Sequence, residues 1–241
     1  MSAPIFYGPN RLRTSTVSAA STVSGRPITR LSDGFAQPLW EGTGPIVWDQ
    51  GATPLSFDAV LGTAGHNLAG AVLVVETAAD ALFTSPTILG TLGIFDAAAF
   101  RIFCSGTVLR YSRLRITGGP ATVQLAELWA APAVVMPQAP LLATSANDRP
   151  NVVGQETEAG GWVGYIRSAA RWEAEWVIPM ITRDQRDVWR DFYRAIGGDG
   201  PPFFLYDDEA TLRWVQCLSA KWTGMLPQQY ELTVQLREVL S

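Results

Sequence analysis

His66 is the only histidine of the chain, so a Ser/His/Asp triad, a histidine metal site or an imidazole acid/base pair would each have to pass through it. It stands in Gly65-His-Asn-Leu68, a turn-forming stretch, and is expected to hydrogen-bond locally rather than to catalyse. No G-x-S-x-G elbow, P-loop or G-x-G-x-x-G fingerprint occurs. The tight acidic cluster is Asp207-Asp208-Glu209. Paired carboxylates can hold calcium or cleave a glycosidic bond, but adjacent residues at a hairpin tip splay apart, and no glycine-spaced calcium loop surrounds them. A solvated turn is the expectation. Asp33 and Asp49 become candidates for a calcium or sugar site if the loops that carry them converge, although Asp49, at a strand end, also serves as a turn-former. Phe35, Trp40 and Trp48 lie in or beside those loops, and an exposed aromatic face is the usual platform for a sugar ring. Trp48, inside an apolar strand, belongs in the core, whereas Trp40 in Pro38-Leu-Trp-Glu-Gly42 suits core and platform equally. No catalytic residue, cofactor or metal is expected, and the chain reads as a non-enzyme.

Composition narrows the partners. At 241 residues the chain can form one large or two ordinary domains, each burying its own core. A formal charge of −4 gives no basic footprint, which argues against nucleic acid. Charged residues make up 17 % and apolar ones 47 %, with nine tryptophans, more hydrophobic surface than a small monomer readily hides; subunit contacts would absorb it. Cys104 and Cys217 are too far apart and too few for a disulfide framework and are expected to be reduced. No basic patch followed by an apolar run opens the sequence, and no run of eighteen apolar residues occurs, so neither a signal peptide nor membrane insertion is expected.

The C-terminal third supplies the clearest elements. In Arg171-Trp-Glu-Ala-Glu-Trp-Val-Ile-Pro179 the residues Trp172, Ala174, Trp176 and Ile178 share one face of a half-buried strand that Pro179 should stop. Thr182-Arg-Asp-Gln185 is a capping box. It predicts a helix over 183–196, with Val188, Trp189, Phe192, Tyr193 and Ile196 on one stripe and Gly197-Gly198 as its end. Strands near Phe203 to Tyr206, Leu212 to Leu218 and Gln229 to Glu238 follow, giving an antiparallel sheet with one helix packed on it.

The order of "RWEAEWVIP", "DVWRDFYRAIGG", "PPFFLYDD" and "YELTVQLREV" resembles minor tail and baseplate proteins of long-tailed bacteriophages and gene-transfer particles. The resemblance covers roughly the last hundred residues. It implies a structural component of a tail tip, such as a distal tail protein, made in a host cytoplasm and carried in the virion. Its partners would be further copies of itself in a ring and other tail proteins (tube, hub or fibre). The alternating charges Asp187, Arg190, Asp191 and Arg194 on the helix are the candidate assembly interface, since rim charges set register.

Residues 1–132 read as nearly all β. Val17 and Val23 within the Ser/Thr-rich run, Pro45 to Gly51, Leu55 to Leu61, Ala71 to Glu76, Phe100 to Cys104, Tyr111 to Ile116 and Val123 to Trp129 have strand character, and Asp80 to Gly93 is expected to be mostly loop. Many short strands with frequent turns indicate a β-sandwich. "LSDG", "PLW", "IVWDQG", "GHNL", "YSRLRI" and "VQLAELWA" occur in the order that resembles discoidin-like, galactose-binding-type jelly rolls, without the cysteine pair those often carry. That resemblance implies a host-surface glycan as a further partner and leaves a carbohydrate-binding module or adhesin as the alternative function. The fold expected is therefore mainly β: a discoidin-like β-sandwich over 1–132, a Pro-rich linker over 133–150 and an α+β domain over 151–241.

Overall fold

The computed structural model describes residues 3–35, 37, 39–140, 142–144, 149–156, 162–207, 209–226 and 229–239; for 142–171, 179–181, 225–226 and 229 only the backbone course of the strands is described. Asp208 lies outside the described residues. The N-terminal half runs through β1 (Ile5–Tyr7), β2 (Thr16–Ser18), β3 (Ser21–Thr22), β4 (Trp40–Thr43), β5 (Ile46–Asp49), β6 (Ala59–Gly62), β7 (Val72–Ala78), β8 (Thr87–Gly93), β9 (Phe100–Phe103), β10 (Tyr111–Thr117), β11 (Val123–Leu125) and β12 (Leu128–Ala131). Then come β13 (Ala133–Val135), β14 (Leu142–Thr144), β15 (Arg149–Glu156), β16 (Trp162–Arg171), β17 (Glu173–Thr182), α1 (Arg183–Ala195), β18 (Pro202–Tyr206), β19 (Leu212–Leu226) and β20 (Gln229–Glu238). The fold is mainly β, a sandwich joined to an α+β region. No described helix is long and apolar enough to cross a membrane.

A five-stranded sheet, β2-β5-β10-β7-β8, faces two three-stranded sheets, β11-β4-β3 and β12-β6-β9, across a core that includes Trp40, Trp48, Leu73, Val75, Phe100, Ile102 and Leu114. The second of these sheets has no solvent face over its first two strands. Alternate residues of a strand point to opposite sides, and here Val60, Leu128 and Ala130 join the sandwich core while Ala59, Leu61, Trp129 and Ala131 join a second core. All eight residues of β6 and β12 are buried. Gly62 is needed where β6 passes under Phe100, because a Cβ there would sit within 2.4 Å of two atoms of that ring.

The second core is closed by a seven-stranded antiparallel sheet, β13-β1-β18-β19-β20-β17-β14. Register sets Tyr7 opposite Phe204 and Phe6 opposite Leu205, so the two faces of β1 separate cleanly. Phe204 packs edge-on to Trp129 of the sandwich at 5.6 Å, whereas Phe6 contacts Trp189, Phe192, Trp176 and Phe203 at 4.6 to 6.3 Å beneath α1. The layers are thus sheet, sheet, sheet, helix.

The helix begins as its capping box predicts: Gln185 N donates to Thr182 Oγ1 at 3.4 Å and Thr182 N donates to Gln185 Oε1 at 2.9 Å. It ends at Gly197 and Gly198, both at positive φ (95° and 77°), where glycine avoids a steric penalty. Trp172, Ala174, Trp176 and Ile178 are all buried on the predicted face. Four expectations are corrected. β17 continues through Pro179 to Thr182, because a register shift between Ile178 and Ile181 accommodates a residue that cannot donate to the ladder. The segment after Asp80 is not mostly loop, since Thr87–Gly93 pairs with β7. The region read as linker carries ladder strands, with Ala133–Val135 beside β1 and Leu142–Thr144 beside β17. Ile5–Tyr7 leaves the sandwich for the other sheet. Proline content alone missed these strands because pairing across the chain decided them.

Phe6 carries the N-terminal strand into the core beneath α1. Phe6→Ala is expected to cost about 3–5 kcal/mol, the range for emptying a well-packed aromatic site. Urea unfolding followed by tryptophan fluorescence and by circular dichroism should shift as one transition in that variant; two separated transitions would show that the halves unfold independently.

Candidate functional site

The three residues singled out for ligand binding do not meet. Asp33 ends a 3-10 turn, where Oδ1 accepts from Phe35 N at 3.0 Å and Oδ2 from Arg30 Nη1 at 3.1 Å. Asp49 accepts from both Nε and Nη2 of Arg110 at 2.9 Å and from Gly51 N at 2.8 Å. Those Arg110 bonds, first, and the Gly51 amide hold its carboxyl below the usual range. Trp40 is fully buried in the sandwich core, since the alternation of β4 turns it inward and Glu41 outward, so it offers no platform. Among the described residues these three share no hydrogen-bond partner, and no group of three or more His, Cys, Asp or Glu could hold a metal ion. His66 is buried: Nδ1 accepts from Leu68 N at 3.3 Å, which makes Nε2 the donor to Ala98 O at 2.9 Å, and burial lowers its pKa. Asp207 departs from the solvated-turn reading. It is buried and accepts from Arg213 Nε at 2.6 Å and from the Glu209 and Thr211 amides.

A different set of residues forms a cleft. β9 is the outer strand of the doubly covered sheet, and its inward residues Phe100 and Ile102 enter the sandwich core. Its outward residues, Arg101 and Phe103, share a face with Leu61 and Ala59, but here the second core has run out. They meet instead the rim of the seven-stranded sheet. The Arg101 guanidinium lies 3.5 Å from the Tyr206 ring centroid and 4.1 Å from that of Phe103, and Nη1 donates to Tyr7 Oη at 3.0 Å. Burial raises the Tyr7 pKa more than Arg101 lowers it, so the phenol stays neutral and accepts this bond. The loop after β8 forms the opposite wall, giving a cleft of about 350 Å³ bounded by Phe95, Asp96, Arg101, Phe103, Tyr206 and Leu212. Phe95 is 93 % and Phe103 62 % exposed. The arrangement offers two uncovered aromatic rings, one guanidinium and one carboxylate, which is equipment for binding a ring with polar substituents.

Searches for known proteins give limited company. No protein-family model matches the chain, and no curated protein does. Among solved structures, chitosan-binding module 1 of a chitosanase/glucanase from Paenibacillus sp. IK-5 is 19 % identical over 51 % of this chain and 98 % of that one, with a TM-score of 0.44. A family 89 glycoside hydrolase from Clostridium perfringens is 13 % identical over 52 % of this chain and 15 % of its own, with a TM-score of 0.43. A Ruminococcus gnavus GH29 fucosidase is 16 % identical over 52 % of this chain and 27 % of its own, with a TM-score of 0.44. This chain therefore spans only a minor part of both hydrolases. None of these three is named as a component of a viral tail.

The helix charges proposed for assembly do lie on the outer side of α1. Arg190 Nη2 is 3.5 Å from Asp187 Oδ1 and Arg194 Nη1 is 3.9 Å from Asp191 Oδ1, all partly or well exposed. Beside them, between edge strand β13 and the start of α1, runs an apolar groove of about 250 Å³ in which Val135 is 61 % and Val188 55 % exposed.

A buried carboxylate fixes the loop at Asp33. Glu127 Oε1 accepts from Gly34 N at 2.6 Å and Phe35 N at 3.2 Å, and Oε2 accepts from Trp129 Nε1 at 2.9 Å. Burial pushes its pKa up to about 8, outweighing the Trp129 and Gly34 hydrogen bonds and the nearby Arg13, which pull it down. Between its ordinary 4.5 and about 8 the folded chain thus keeps a proton that the unfolded chain has lost. Its contribution is complete below 4.5 and fades as pH rises through 8. Urea midpoints should accordingly fall from about pH 5 to about pH 8. Glu127→Gln should remove that slope while lowering the midpoint throughout, because an amide cannot accept from donors on both sides.

Proposed function

We propose that the protein is a non-catalytic carbohydrate-binding protein whose ligand lies in the cleft between β9 and the rim of the seven-stranded sheet. The observation that carries this reading is the exposure of Phe95 and Phe103 beside the Arg101 guanidinium. Leaving two phenyl rings in water forgoes stabilisation of about 1.5–3 kcal/mol each. A sugar recovers part of it by laying its C–H face on a ring while its hydroxyls reach Arg101 and Asp96. Among the described residues the cleft contains no nucleophile held by a base and no second carboxylate, so binding rather than turnover is the function assigned to it. In a glycan array followed by calorimetry, the wild-type chain should retain at least one glycan class. Phe103→Ala should weaken that binding about tenfold with an unchanged circular dichroism spectrum. Retention of no glycan by the wild type, or full affinity in the variant, would overturn the assignment.

A second reading, favoured by the edge of β13, which pairs with no further strand among the described residues, and by the apolar groove next to it, makes this chain a virion component of a phage-like tail tip or baseplate. Assembly runs through the α+β region into a ring with further copies and other tail proteins. An open strand edge beside exposed Val135 and Val188 is a surface that pairing with a neighbour would satisfy. The two readings are compatible, one describing the recognition cleft and the other its mounting. Arg190→Glu with Arg194→Glu should slow incorporation into particles without altering the fold, whereas unchanged incorporation would remove the helix from the interface.

A further inference from the structure

The arginines of the sheets differ in how their charge is met. On β10, Arg113 and Arg115 close on the buried carboxylate of Glu76 at 2.6 and 2.9 Å. On β19, Arg213 closes on Asp207 at 2.6 Å. Arg101, half-buried, has ring faces and a neutral phenol as its neighbours, and among the described residues no carboxylate forms an ion pair with it. A guanidinium carries five N–H donors in one plane, and among the described residues a single hydrogen bond to a side chain, that to Tyr7, engages them. The rings of Tyr206 and Phe103 pack against the guanidinium, and Arg101 lines the cleft. Water does not supply what a partly desolvated cation lacks as well as a planar anion does, and carboxylate geometry matches the fork bidentately.

We infer that the cleft selects a sugar bearing a carboxylate, with Arg101 as the residue that determines this specificity. The inference rests on the carbohydrate reading of the same cleft. Phe103 and Phe95 take the C–H face of the ring and Arg101 takes the acid group at the floor. Asp96, on the exposed loop and engaged through Oδ1 with Ala98 N, repels an anion from the outer end and leaves that end to hydroxyl groups. The polarity of the cleft therefore orients the ring as well as choosing it. A lysine at 101 would keep the charge but lose the planar fork and both stacking contacts.

The test uses the full chain against matched pairs of oligosaccharides that differ only in carrying a uronic acid or the corresponding neutral hexose. Affinities are measured by calorimetry at low salt and at about 0.5 M salt, where exposed charge pairs are screened. The wild type should bind the acidic member at least about tenfold tighter, with the gap narrowing in salt. Arg101→Gln should bind both members alike, and Arg101→Lys should retain a reduced, more salt-sensitive preference. Thermal melting of each variant monitors the fold. Equal affinity of the wild type for both members, or a preference that survives Arg101→Gln, overturns the inference while the carbohydrate reading stands. Binding of neither member at any site overturns both.

Discussion

A sheet that is buried on both sides governs this structure. β12-β6-β9 belongs to two cores at once, and only its third strand escapes cover on the outer face. Because side chains alternate across a strand, each of Ala59 to Gly62 and Leu128 to Ala131 must be apolar or small, and each answers to a different set of neighbours. Leu128 packs in the sandwich, and Trp129, one position on, packs against Phe204 of the other sheet. A slip of one residue would exchange the two sets and misfit both cores, so the register here is fixed more firmly than in a sheet with one wet face. The indole N–H of Trp129 could not be left unpaired in such a place, and Glu127 accepts it.

The same constraint explains where the cleft falls. Arg101 and Phe103 stand on the row that begins with Trp129 and Leu61, or with Ala131 and Ala59, and would have been buried had the seven-stranded sheet extended one strand further. Tyr7, buried in β1, and Tyr206, the partly exposed last residue of β18, instead bring hydroxylated rings to that row. The candidate site is thus the place where two layers stop covering each other. Its walls come from both halves of the chain, so a ligand held there bridges β9 and β18 and would stabilise the contact between the halves in proportion to its affinity.

Local features were legible in the sequence because local physics decides them. The capping box from Thr182 to Gln185, the glycine stop after Ile196 and the face shared by Trp172 and Trp176 appear where hydrogen-bonding groups and periodicity place them. The mainly β fold was readable for the same reason, from alternating strands such as Tyr111 to Ile116. Pairing between distant segments was not readable. Ile-Phe-Tyr at positions 5–7 is a good strand, but nothing in it says that its partners are Ala133 to Val135 on one side and Phe204 to Tyr206 on the other; only the finished second core selects them. Asp33 and Asp49 drew attention as exposed loop acids, yet each is satisfied within its own turn or strand pair. The signal that did exist for the cleft was modest. Phe100-Arg-Ile-Phe103 alternates aromatic and aliphatic residues inward with an arginine and a phenylalanine outward, and an outward phenylalanine on such a strand asks what covers it.

Electrostatics divides the molecule along the same line. Glu76 inside the sandwich face and Asp207 beside Trp172 each collect arginines at hydrogen-bonding distance, and Arg213 lies over the Trp172 ring as it does so. These pairs contribute little net stability beyond what apolar replacements would, but removing one partner would strand a charge with no water to take it. At half-buried Arg101, where no carboxylate among the described residues forms an ion pair, the guanidinium has two π faces and a phenolic oxygen instead. Cation–π contact is worth about 0.5–2 kcal/mol, enough to hold the side chain in place and less than a desolvated ion pair would give. On the proposed reading, a side chain so held would be ordered before a ligand arrives and would keep binding energy to release when an anion completes it, the combination that preorganised recognition requires.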